Sequence, residues 1–543
     1  MKSKVLCLRK HSPGVMQIAR LFTAAMTPTA TLRQTGIFQR VRNERDMTEH
    51  SMYIDGKDVQ AASGATSTVV NPATGTPIAT VPDGNGVDVD VAVAAARIAF
   101  ESGPWPRTSR TDRARVLLRA ADALEAASES LFTLETQNNG RPITETRAQL
   151  SRVPEWFRYN AGLLSSQRDS VLPSDGPYLT YQKRAPLGVC GIITPFNHPA
   201  LILARSLSAA LATGNTVVIK PSELTPLTTL AIARILTDAG VPAGVVNVVT
   251  GGREAGIRLT EHEDVAKITL TGGTEAGRSA AAATAVRFAR ITAELGGKTP
   301  VIVFDDYDPV AAAEGAAFAA FVASGQSCVA GARFLVQRGS YDAFVDALAR
   351  RAESIRIGDP ADVRTQMGPM ISDRQRRKVL DYIEIGRSEG TRLVAGGDVP
   401  DLPESLRDGF FVRPTVLADA TNSMRVAQEE IFGPVAVVVP FDTEEEAIEM
   451  ANDNPFGLGA GVWTRDIGRA HRVAESIESG MVWVNDHHRL EPSLPWGGVK
   501  ESGAGKDAGT ESFDDFTWIK TIVVRTADSD VDWYGSDTPG RLN

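Results

Sequence analysis

Between residues 188 and 271 the chain alternates four short β-rich runs with helical ones, and few folds accommodate that order. GVCGIIT, NTVVIK, GVVNVVT and AKITLT read as strands, with ALILARSLSAALATG, PLTTLAIARILTDAG and EAGIRLTEH as the helices between them. Repeated βαβ units specify a parallel, helix-covered sheet whose ligand crevice lies beyond the carboxyl ends of its strands. ITPFN, IKPSE and LTGGTEAG therefore share one rim as polar strand exits, which makes a dinucleotide site there a reasonable expectation.

The flanks extend this α/β pattern. From Met52, MYIDGKDVQ and VVNPATGTPIATVP read as small strands and turns. The helical runs DVAVAAARIAF, RARVLLRAADALEAASESLFTLETQNNG and EWFRYNAGLLSSQ follow, the second closed by Gly140 and Pro142. A second α/β series, with strands such as TPVIVF, ARFLVQ and GPVAVVVPF, runs from about Leu295 to Val499. FDDFTWIKTIVVR alternates like an isolated strand and pairs naturally with YLTYQKRAPLG in a small projecting sheet. At 543 residues the chain exceeds a single core.

Composition narrows the class. A net charge of -9 offers no general attraction to nucleic acid or an anionic membrane surface, and no apolar run reaches the roughly 20 residues of a membrane span. Three well-separated cysteines, Cys7, Cys190 and Cys328, fit neither a disulfide framework nor a metal site and point to a reducing, cytoplasmic setting. Residues 1–46 are basic and acid-poor. They read either as an over-extended reading frame before a start at Met47 or as an organellar targeting leader, and in both cases as a disordered segment.

Three residues stand out as candidate chemistry. Cys328, in FVASGQSCVAGARF, is either an inert buried thiol or a nucleophile whose thiolate would gain from a helix N-terminus beside Gln326 and Ser327. Glu294 ends an apolar run before Gly296 and Gly297, so burial would raise its pKa and suit it to take a proton from water. Asn197, between Pro195 and Pro199, is either a turn residue or helix N-cap, or an amide donor to an oxyanion that the Cys328 backbone N–H also faces. Lys220 and Glu223 emerge where a doubly wound sheet holds a ribose, and Gly272, Gly273 and Gly277 sit at a strand-to-helix turn suited to a pyrophosphate.

From about Met52 to Arg525 the chain resembles the aldehyde dehydrogenase superfamily, of the NAD(P)-dependent hydrolytic type. The resemblance rests on ITPFN, IKPSE, LTGGTEAG, ELGGK, GQSCVAG, EEIFGPV and PWGGVKESGAGKDAG in the family's order, and on the 34 positions separating Glu294 from Cys328. It implies an α/β fold with a doubly wound Rossmann-like NAD-binding domain (residues 52–165 and 184–295), an α/β catalytic domain (296–500) and a small β oligomerisation projection (166–183 and 511–526). It implies Cys328 as nucleophile, Glu294 as general base and Asn197 as oxyanion donor in oxidising an aldehyde through a thiohemiacetal and a thioester. Lys220 and Glu223 would hold the adenosine ribose, Glu430 the nicotinamide ribose, and Phe432 would flank the nicotinamide. Thr271, Gly272 and Gly273 would border the pyrophosphate, with Thr194, Pro195, Phe196, Ser222, Gly277 and Leu295 completing the cofactor set. Gly273 replaces a frequent serine and Phe196 a common tryptophan. Glu223 favours NAD, with NADP possible because Lys220 partly offsets its charge.

The resemblance also implies a homodimer or homotetramer and a substrate tunnel bordered by Ile202, Arg205, His488 and Trp496, with His487, Arg489 and Ser493 nearby. Arg205 would fork a polar or carboxylate-bearing aldehyde, unless it pairs with an acidic neighbour. A second arginine close before the cysteine is absent, Val322 standing there, which argues against succinic semialdehyde. A CoA-acylating semialdehyde dehydrogenase and a catalytically inactive structural relative are the alternatives.

Overall fold

The computed structural model describes residues 47–528 together with Tyr534 and Gly535, and the expectations for residues 1–46 lie outside them. The βαβ repeat forms the centre of an eight-stranded sheet in the order Gly503–Ala504, Arg290–Glu294, Val265–Thr271, Val189–Ile193, Thr216–Lys220, Val246–Val248, Met52–Ile54 and Lys57–Val59. Its five inner strands are parallel and its edge pairings antiparallel. The chain order reverses between Val189–Ile193 and Val265–Thr271, which are neighbours in the sheet. Such a switch point opens a crevice between the two strand exits, because the connections leave in opposite directions. ITPFN and LTGGTEAG are those two exits. Gly503–Ala504 lies after the expected NAD-binding segments, so this sheet gathers chain from farther along than the sequence reading assigned it.

The second sheet has seven strands, ordered Arg392–Ala395, Thr415–Ala418, Val435–Phe441, Gly331–Gln337, Thr299–Val303, Gly459–Trp463 and Met481–Val484. All are parallel except the first. Runs such as VAVVVPF have no polar alternation because helices cover both faces.

A third, antiparallel sheet joins Thr517–Arg525, Tyr178–Pro186 and Ser170–Leu172. Its partners are those read from the sequence, with one correction: the FDD of FDDFTWIKTIVVR belongs to the helix Gly509–Asp515, and the strand begins at Thr517. The long helical run before Gly140 is likewise two helices, Arg110–Ala126 and Ser128–Asn139, broken at Ala127. Gly140 ends the second in the left-handed conformation (φ 85°), which glycine adopts without a Cβ clash. A short helix, Ile143–Leu150, which the sequence reading passed over, follows immediately.

Candidate active site

Cys328 occupies a turn between the 3-10 segment Val322–Gly325 and the strand Gly331–Gln337. No helix begins there, so the dipole expected to favour its thiolate is missing. The side chain is half-buried in the wall of a cavity of about 610 Å³. Burial pushes the thiol up to about 12, Glu294 and Glu430 adding to the effect while Arg205 and the residue's own N–H oppose it. The resting sulphur is therefore a thiol, and attack on a carbonyl requires that its proton be taken.

Glu294 is the last residue of the strand Arg290–Glu294 and only 2% exposed. Its strand ends where Gly272 N–H donates to the Glu294 carbonyl at 3.0 Å, so the backbone is fixed while both carboxyl oxygens lack a protein partner. Burial pushes the carboxyl up to about 8; Asp507 raises it further, and Arg205, Lys506 and the Trp496 side chain pull it down. A carboxyl held in this way releases and takes up protons near neutrality, as a general base must.

Asn197 leaves the strand Val189–Ile193 just before the helix Pro199–Ala212. The helix N-cap is His198, so the capping alternative for Asn197 does not hold. Its Nδ2 donates to the Gln326 carbonyl at 2.9 Å, two residues before Cys328. Because that neighbour can only accept, the amide nitrogen must face it, and the second N–H of the same nitrogen takes no protein partner among the described residues. Asn139 fixes the backbone of this exit, its Nδ2 donating to the carbonyls of Phe196 (2.5 Å) and Asn197 (3.2 Å). Arg141 in turn holds the Asn139 oxygen at 3.1 Å and pairs with buried Glu135. The sequence reading missed this support, which lies 57 or more positions from the residues it serves.

The crevice at the switch point carries unpartnered polar groups. Thr194 and Thr271 are buried with hydroxyls that bond nothing. Gly273 caps the helix Thr274–Ala285 without a side-chain bond and with open space where a side chain would stand. First-turn N–H groups left in this state suit a phosphate. At Gly277 a Cβ would come within 2.4 Å of the Leu295 side chain, which would have to shift to admit one. Lys220 donates to the carbonyls of Pro221 (3.0 Å) and Gly251 (2.8 Å), with exposed Glu223 at 3.8 Å. Ser222 spends its hydroxyl on the local turn, accepting from Leu224 N–H at 3.3 Å. Glu430 accepts from Gly297 N–H at 2.9 Å. Phe432, at φ 60°, meets Phe196 edge-on at 5.7 Å. The donors, carboxylates and apolar faces fit a dinucleotide laid from Glu223 past Gly273 to Glu430. The residues 59–522 match the family model described as the aldehyde dehydrogenase family.

The chain belongs to the aldehyde dehydrogenase family. It is 43% identical to a betaine aldehyde dehydrogenase of Sinorhizobium fredii over 87% of this chain and 97% of that protein. It is 41% identical to the human mitochondrial aldehyde dehydrogenase over 88% of this chain and 92% of that one. The crystal structure of a Staphylococcus aureus betaine aldehyde dehydrogenase in complex with NAD+ superposes with a TM-score of 0.87 at 38% identity, covering 90% of this chain and 97% of that one.

In this dehydrogenase the cavity beside Cys328 is bordered by Ile202, Arg205, His488 and Trp496. Ser493 is exposed and takes no part in the lining. Arg205 has the acidic neighbour that stood as its alternative: its Nε donates to Asp507 at 2.7 Å, both side chains are buried, and its guanidinium lies 5.6 Å from the Trp496 ring. His488 Nε2 lies 3.3 Å from the Ala319 carbonyl, and His487 Nε2 lies 2.8 Å from that of Val329. Burial lowers both imidazoles, His487 to about 4 and His488 to about 3, so both are neutral at pH 7.

Proposed function

We propose that the chain oxidises an aldehyde to its carboxylic acid with NAD, through a thioester on Cys328. The observation that carries this is the convergence of a cavity-facing cysteine, a buried and unpartnered Glu294 close enough to influence its charge, and the Asn197 amide. The Cys328 thiol gives up its proton to solvent as Sγ bonds to the carbonyl carbon, and the oxygen gathers charge facing Asn197 Nδ2–H and the Cys328 N–H. NAD held between Glu223 and Glu430, with its nicotinamide beside Phe432, would supply the acceptor for the hydride that leaves this carbon as the thioester forms. Glu294 then takes a proton from water as its oxygen attacks; collapse expels the Cys328 thiolate, which recovers that proton from Glu294, and releases the acid. The CoA-acylating and inactive alternatives find no support, since Glu294 is retained and buried as a base for hydrolysis requires. Cys328→Ala tests the reading: aldehyde-dependent NADH formation should vanish while NAD binding persists, and near wild-type turnover would sink it.

The arginines bordering the cavity are each matched by a carboxylate: Arg141 by Glu135, Arg152 by Glu155, Arg205 by Asp507 and Arg489 by Glu491. A carboxylate tail would find both buried guanidiniums, Arg141 and Arg205, already paired, so a polar but uncharged tail is favoured over the carboxylate-bearing one that Arg205 alone suggested. Exposed Glu223 would repel a 2'-phosphate, which favours NAD over NADP.

The third sheet leaves Val171 (71% exposed), Ile519 and Val523 uncovered, which supports a homodimer or homotetramer built on it. No helix among the described residues is long and apolar enough to cross a membrane, and the free thiols Cys190 and Cys328 suit a reducing cytoplasm.

A further inference from the structure

We propose that Glu145 is a positioning residue that holds the backbone loop from which both Cys328 and Asn197 take their places. Its seat is the short helix Ile143–Leu150, which packs against the helix Pro199–Ala212 and shares the cavity lining with it. Both of its carboxyl oxygens accept from the single N–H of Ala323, at 3.1 and 3.3 Å.

What it holds is unusual. Ala323, Ser324 and Gly325 stand in succession in the left-handed region, at φ 53°, 55° and 68°. Glycine adopts that conformation freely, whereas alanine and serine do so only when surrounding contacts over-determine it. Three contacts do so here. Glu145 takes the Ala323 N–H, Ser324 Oγ donates to the Gly368 carbonyl at 2.8 Å, and Gly325 is pressed so closely on Gly433 that a Cβ would lie 2.2 Å from its carbonyl oxygen. Gln326 follows at once. Its side chain accepts from Ile371 N–H at 3.0 Å, and its backbone carbonyl receives the Asn197 amide. Cys328 is two residues farther on. A shift of the left-handed triplet therefore moves the nucleophile and the anchor of the oxyanion donor together. Of the three contacts, Glu145 alone comes from a side chain outside the loop.

This inference rests on the roles given above to Cys328 and Asn197, and its test separates the two. Glu145→Gln keeps the reach and the accepting oxygen, Glu145→Asp keeps the charge but falls one methylene short, and Glu145→Leu removes the acceptor. With an aldehyde that the wild type oxidises, the Asp and Leu variants should lose at least tenfold in kcat, with KM for NAD within about twofold of wild type. The Gln variant should stay within about threefold on both. Hydrogen exchange of the peptide spanning residues 322–328, measured without substrate, should quicken in the Asp and Leu variants and not in the Gln variant. Asp and Leu variants that turn over within twofold of wild type would overturn the proposal. So would a Gln variant as impaired as the Leu variant, which would make the charge, or a contact to substrate, the operative feature. If the Leu variant fails to fold, the Gln and Asp pair decides alone. A wild type that oxidises no aldehyde would instead remove the function, leaving exchange to judge the loop.

Discussion

Replacing Glu294 by glutamine should stabilise the protein in a pH-dependent way, and the size follows from the pocket. Burial raises the carboxyl from 4.5 to about 8, so the folded chain keeps a proton that the unfolded chain releases above pH 4.5. The protonated form favours folding, and that contribution is complete below pH 4.5 and lost as pH rises through about 8. The loss accumulates at about 1.4 kcal/mol per pH unit, on the order of 3 kcal/mol by pH 7 and 5 kcal/mol by pH 9. Glutamine has the same shape and never ionises, so it escapes this cost. Thermal melting at fixed protein concentration should find wild type and Glu294→Gln nearly level at pH 5. By pH 9 the variant should melt several degrees higher. A difference that stays constant with pH, or a variant that melts lower at pH 9, would refute the argument that burial sets the basicity of Glu294.

Two further outcomes follow from the same contacts. Asn197→Ala removes the side-chain donor and should cut kcat by about 10²–10³-fold with little change in KM; steady-state kinetics checks this, and an unchanged kcat would leave the backbone N–H as sufficient. Asp507→Ala strands the buried Arg205 guanidinium, which should cost about 3–5 kcal/mol in denaturant unfolding; it should also move the pH–rate profile to lower pH, because Asp507 raises Glu294 while Arg205 lowers it.

The parallel sheet was legible because its strands are unbroken apolar runs, such as TVVIK, that end in polar turns, and the switch point turned those turns into one crevice. Glu294 was readable for the same reason, as the polar end of such a run. The setting of Cys328 was not. VASG contains two residues that normally avoid positive φ, and only contacts from distant segments hold them there. Arg205 meets Asp507 across 302 positions, so the sequence left open whether its charge serves a substrate or an acidic neighbour and could not name that neighbour. Glu145 lies in ITETRAQL, whose charged and hydroxyl residues leave little apolar stripe to mark a helix.

The most direct test of the account is intact-mass analysis of Glu294→Gln mixed with NAD and an aldehyde that the wild type oxidises, then quenched in acid. Water should be slow to release the acyl group there, so the protein should gain the mass of the aldehyde less two hydrogens, localised by digestion to the peptide carrying Cys328. A variant that forms NADH but accumulates no adduct, or one modified elsewhere, would contradict a thioester on Cys328 that Glu294 clears.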